Sequence, residues 1–76
     1  MKRTEIKTIT YDTGLRNFMV DVVERRGGHE AFLYKTGYGI KDLMFWYPEK
    51  DIDIFVEIVE ANLLDHMSIY EKNYCN

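Results

Sequence analysis

Hydrophobic and polar positions follow two rhythms along the chain. Up to residue 47 they form short alternating or wholly apolar runs, broken by Asp, Thr and Gly; after residue 51, apolar residues recur every three or four positions. The first rhythm suits strands, whose side chains point alternately to opposite faces, and the second suits a helix. "TEIKTITY" at 4–11, rich in Thr and Ile, predicts a strand. "DTG" at 12–14 predicts a turn, because Asp can bond its own backbone and Gly accepts positive φ.

"LRNFMVDVVERR" at 15–26 fits both rhythms. As a helix it aligns Leu15, Phe18, Met19, Val22 and Val23; as a strand it lines up Phe18, Val20 and Val22. The Gly27-Gly28 pair before "HEAFLYK" (29–35) is a hairpin signal and favours the strand. That register sets Arg26 opposite His29, Arg25 opposite Glu30, Val23 opposite Phe32 and Val22 opposite Leu33. "TGYG" at 36–39 reads as a loop and "IKDLMFWY" at 40–47 as a fourth strand, ended by Pro48, which has no amide N–H. Residues 51–74 then read as one long helix, with Asp51 or Asp53 capping its start. Its stripe comprises Ile52, Phe55, Val56, Val59, Leu63, Met67, Tyr70 and Tyr74. The expected fold is a single α+β domain over 1–76: a small four-stranded antiparallel meander with one C-terminal helix packed on one face. The alternative is βαββα, with 15–26 helical.

"LMFWY" at 43–47 would be greasy on both sides of a strand. The expected pairings collect Phe18, Val20, Val22, Ala31, Leu33, Ile40, Met44 and Trp46 on one face. The other face receives Met19, Val23, Phe32, Tyr34, Leu43, Phe45 and Tyr47, interrupted by Asp21, Arg25, Glu30 and Lys41. One helix can cover one face, and the more aliphatic first face, where Ala31 permits close approach, is the expected choice. Phe32, Tyr34, Leu43, Phe45 and Tyr47 are then the candidate protein-binding residues. An aromatic side chain can bury roughly 150–250 Å², and an apolar patch of several such residues marks an interaction surface. Ile54, Ile58 and Ile69 lie off the main helical stripe and add to the apolar surface seeking contacts.

Composition narrows the means of support. A chain of 76 residues buries only roughly 60% of its unfolded surface, and small domains often add disulfides, a metal or oligomerisation. Cys75 is the only cysteine, which excludes an internal disulfide and suits a reducing cytosol. His29 and His66 sit in no metal-ligand spacing, so no metal or other cofactor is expected. "MKRTEIKTIT" leads into no apolar signal region, and no apolar run approaches the roughly 18 residues of a membrane span. The expectation is a soluble, cytoplasmic protein without a membrane partner. Net charge is +2 over residues 1–10, zero over 11–46 and −5 over 47–76. The acidic last third argues against nucleic-acid binding, which rests on Lys and Arg, and its carboxylates read first as a solvated helix face.

Catalytic signals are weak. His66 beside Asp65 reads as a surface or packed residue, and Ser68 has no oxyanion partner in the pattern. Cys75 lies next to the C-terminus, where chains fray, and reads as an incidental thiol. No catalytic residue and no enzyme activity are expected. The reading is a small acidic interaction protein that binds a protein partner or itself as a homo-oligomer, a dimer first, through its aromatic sheet face. Small inhibitors of phages and mobile elements, anti-CRISPR proteins among them, share this size and acidity; the analogy is one of class and no motif carries it. Two alternatives are a nucleic-acid binder using Lys2, Arg3 and Lys7, and a ligand-binding domain with its site at a dimer interface.

Overall fold

The computed structural model describes residues 7–75. Strands β1 (Thr8–Asp12), β2 (Phe18–Arg25), β3 (Gly28–Lys35) and β4 (Asp42–Tyr47) precede helices α1 (Ile52–Ala61) and α2 (Leu63–Tyr74). The strands form one antiparallel sheet in the order β1-β2-β3-β4, and the helices pack on one side of it. This is the α+β meander, so Phe18–Arg25 is a strand and the helical alternative for that stretch is excluded. Residues 4–6 of the expected first strand, with Lys2 and Arg3, lie outside the described residues.

The first two hairpins turn by different means. Between β1 and β2, Asp12 Oδ1 accepts from the Gly14 amide at 2.7 Å, and the Thr13 hydroxyl donates to the Phe18 carbonyl at 2.9 Å. Arg16 and Asn17 both take positive φ, 49° and 64°. Between β2 and β3 the tip is Arg26-Gly27, one residue earlier than expected, because Arg25 pairs with Gly28. Gly27 takes φ +82°, which favours glycine. Gly28 is needed for another reason: a Cβ there would collide with the Tyr47 carbonyl oxygen and lie 2.8 Å from Pro48 Cα. The register therefore differs by two residues from the expected one. Val22 faces Ala31, Val23 faces Glu30 and Glu24 faces His29. A two-residue shift preserves which face each side chain takes, whereas a one-residue shift would invert it. Arg25 still reaches Glu30, diagonally, at 2.8 Å.

Such an inversion occurs in β4. Ala31 pairs with Phe45 but Phe32 pairs with Leu43, so Met44 is the extra residue of a β-bulge. Beyond a bulge the alternation of faces changes phase. Met44 is 8% exposed in the core, and Phe45 also packs on the helix side, its ring 5.9 Å from that of Phe55. Tyr47 pairs with His29 on the helix-facing side, while Trp46 pairs with Glu30 on the other. The expected faces of Phe45, Trp46 and Tyr47 are thus exchanged.

Asp51 caps α1, its carboxylate accepting from the amides of Asp53 and Ile54 at 2.9 and 3.3 Å. The expected single helix is two, broken at Asn62, whose backbone leaves the helical range at φ −113°, ψ 5°. Asn competes for backbone hydrogen bonds inside helices, and Asn62 Nδ2 donates to the Ile58 carbonyl at 2.8 Å. The break also serves packing. Phe55, Val59, Leu63 and Met67 follow at steps of four, each advancing about 40° around a straight helix; interrupting the axis keeps all of them buried.

Phe55 and Val59 of α1 and Leu63, Met67 and Tyr70 of α2 close the core over Phe18, Val20, Val22, Ala31, Leu33 and Met44. A fully buried Val, Leu, Phe or Met side chain contributes roughly 1.5–3 kcal/mol. The one buried phenol of this cluster is satisfied, as Tyr70 Oη donates to the Ile40 carbonyl at 2.7 Å.

Candidate functional site

With both helices on one side, the opposite face of the sheet lacks a covering element among the described residues. The pairings set its side chains in rows. Thr10, Asp21, Phe32 and Leu43 run across the middle, one from each strand. Thr8, Val23, Glu30 and Trp46 form the adjacent row, and Met19 faces Tyr34 on the other side. The β1–β2 half is polar toward its edge, and the β3–β4 half holds most of the large apolar groups. Leu43 is 51% exposed and Trp46 45%. Phe32, Tyr34 and Met19 are half-buried.

Two carboxylates on this face are paired with basic side chains. Asp21, only 6% exposed, accepts from the Thr10 hydroxyl at 2.7 Å and from Lys41 Nζ at 2.7 Å. Lys41 also lies over the Tyr34 ring, 4.9 Å from its centroid. Its hydrogen bond with Asp21, and then the carboxylate charge, raise the Lys41 pKa above the ordinary 10.5. Arg25 and Glu30 form the second pair. Lys41 thus crosses an aromatic ring before it ends on a carboxylate.

Of the five expected binding residues, the sheet brings Phe32, Tyr34 and Leu43 together on this face and takes Phe45 and Tyr47 to the other. Trp46 is the open-face residue that sequence reasoning missed. Its signal was obscured by the bulge, since strict alternation places it with Met44. Phe45 instead meets Phe55 and, at 5.8 Å, the His66 ring.

Other chemistry-bearing groups have structural partners. His29 is buried against Phe55, and its Nδ1 lies 2.7 Å from the Glu49 carbonyl oxygen, which makes Nδ1 the donor. Cys75 caps α2 and packs against the core, so it is held rather than frayed. Its hydrogen bond with the exposed Tyr38 raises the Tyr38 pKa. Among the described residues no group of three or more His, Cys, Asp or Glu could hold a metal ion, and no helix is long and apolar enough to cross a membrane. No protein-family model, curated protein or solved structure matches this chain.

Proposed function

We propose that this chain is a non-enzymatic interaction protein that binds a protein surface through the open face of its sheet, with Trp46, Leu43, Phe32 and Tyr34 as the recognition residues. The observation that carries this reading is the pairing of Trp46 and Leu43, both about half exposed, with charges that are already neutralised beside them. Large aromatic and aliphatic groups in the centre of a patch, with polar groups around it, are the anatomy of a protein-binding surface. The face offers no surplus of Lys or Arg to engage phosphates, which disfavours nucleic acid despite the aromatic rings.

The test compares two faces. Affinity capture from the cell that encodes the protein is run with the wild type, Trp46→Lys on the open face and Ile69→Lys on the exposed helix surface. The reading expects a specific interactor, the chain's own second copy included, that is lost with Trp46→Lys and kept with Ile69→Lys. Loss with Ile69→Lys alone would place recognition on the helices and end this proposal.

A further inference from the structure

The covering partner follows from how charge is divided between the layers. We infer that the open face is covered by a second copy of this chain, packed face to face about a twofold axis near Phe32 and Leu43; this rests on the sheet-face reading above. Around its apolar centre the open face carries Asp21 with Lys41 and Arg25 with Glu30, both carboxylates held by a basic partner, while Asp12 lies at the β1 edge and accepts from the Gly14 amide. It therefore meets its own copy without like-charge repulsion. The helix layer is different. From residue 51 to 75 it holds six carboxylates against Lys72 alone among Lys and Arg, and although Glu71 is met by Arg16 and Lys35 from outside the helices, the layer keeps a net negative charge.

Distances decide between the two surfaces. Packing helix layer on helix layer would bring axes to about 8–10 Å and set two acidic surfaces against each other. Packing sheet on sheet, about 10 Å apart, puts the helices on the outside, their axes roughly 30 Å from one another. That is about three Debye lengths at ~0.1 M salt, so the acidic layers barely sense each other. The result is a four-layer α/β/β/α dimer. Its apolar centre comes from the β3–β4 halves, where Phe32 and Leu43 are direct cross-strand neighbours and Trp46 and Tyr34 lie to either side. In a twofold interface the same patch serves both subunits, so a residue near the axis meets its own copy.

The test uses sedimentation equilibrium on the full chain, with acrylamide quenching of Trp46, the only tryptophan, as a readout needing no variant. The expected result is a dimer in which Trp46 becomes protected as concentration rises. Leu43→Lys and Leu43→Glu should each weaken it by at least about 100-fold, because each buries like charges at the axis, while far-UV circular dichroism stays unchanged. A one-to-one mixture of the two variants should recover association. Should Leu43 variants lose the fold, the concentration-dependent protection of wild-type Trp46 decides the matter alone. A wild type that is monomeric up to ~1 mM, with Trp46 freely quenched, overturns the second copy; loss of a different captured protein with Trp46→Lys would then leave the sheet-face reading standing. Protection of Trp46 in a monomer by a single-stranded oligonucleotide overturns both, as does a dimer untouched by Leu43→Lys and Trp46→Lys.

Discussion

The two faces of the sheet are built from alternate residues of the same strands, yet they are finished differently. On the helix side, Phe18, Val20, Val22, Ala31 and Leu33 lie beneath two helices and are almost wholly withdrawn from water. On the open side, Val23 and Asp21 are also buried, but without a covering helix. Lys41 crosses Tyr34 to reach Asp21, and Arg25 reaches Glu30. One face is sealed by packing; the other is partly screened by charged side chains, with Leu43 and Trp46 left in water. Apolar surface on a sheet therefore need not be core. What separates the faces is whether a second element can be brought over them.

This difference should appear first in stability. Phe55→Ala on the covered side should cost about 3–5 kcal/mol, enough to unfold much of a marginal chain. Phe32→Ala on the open side should cost about 1 kcal/mol in the isolated chain, because its ring is half-buried and leaves little cavity. Thermal unfolding of the two variants at one low concentration checks the ratio; equal losses would mean that the open face is as tightly packed as the core.

The bulge makes a sharper contrast between adjacent residues. Phe45→Lys forces a charge among Phe55 and His66 and should destabilise by about 2–3 kcal/mol. Trp46→Lys, one residue on, should change stability by less than ~1 kcal/mol under monomeric conditions. Urea titrations of the pair measure this. A reversal of the order would mean that Met44 is not the extra residue of β4.

Asp21 tests the screening of the open face. Asp21→Asn weakens the hydrogen bonds from Thr10 and Lys41, with an expected cost of about 1–2 kcal/mol. The raised pKa of Lys41 adds a sign. The Lys41 share of this interaction is complete below the ordinary value of 10.5 and is lost as pH rises through the folded value. Alkaline unfolding should therefore be less steep in Asp21→Asn than in the wild type.

The smallest effect belongs to the edge of the covered side. Tyr11 donates to Glu60 at 2.6 Å, tying β1 to α1. Burial first, and then the hydrogen bond and charge of Glu60, hold its phenol well above the usual 10.0. The folded chain keeps this proton longer than the unfolded one, so stability is full below pH 10 and falls as pH climbs toward the folded value. Tyr11→Phe should cost about 0.5–1 kcal/mol at neutral pH and flatten that alkaline fall. An unchanged alkaline limb would show that Tyr11 keeps its proton no longer folded than unfolded.

The sequence by itself determined the element types and their order. Apolar alternation, the glycines at 27 and 28, Pro48 after β4 and the Asp51 cap are local features, and local physics answers them. It also placed the β2 and β3 side chains on their correct faces, because the register error was an even number of residues. Only the tertiary structure decided the rest. The hairpin tip settled at Arg26-Gly27, which makes Gly28 part of β3 at a point where Tyr47 and Pro48 pass so close that a side chain cannot fit. The bulge at Met44 arose where β4 must serve two faces, and it sent Phe45 inward and Trp46 outward against the alternation. The long helix broke at Asn62, which keeps a stripe of four-residue steps against a sheet. The first two depend on contacts between residues far apart in the chain, and the third joins a local preference of Asn62 to packing on the sheet; a periodicity counted along one segment carries no term for such contacts.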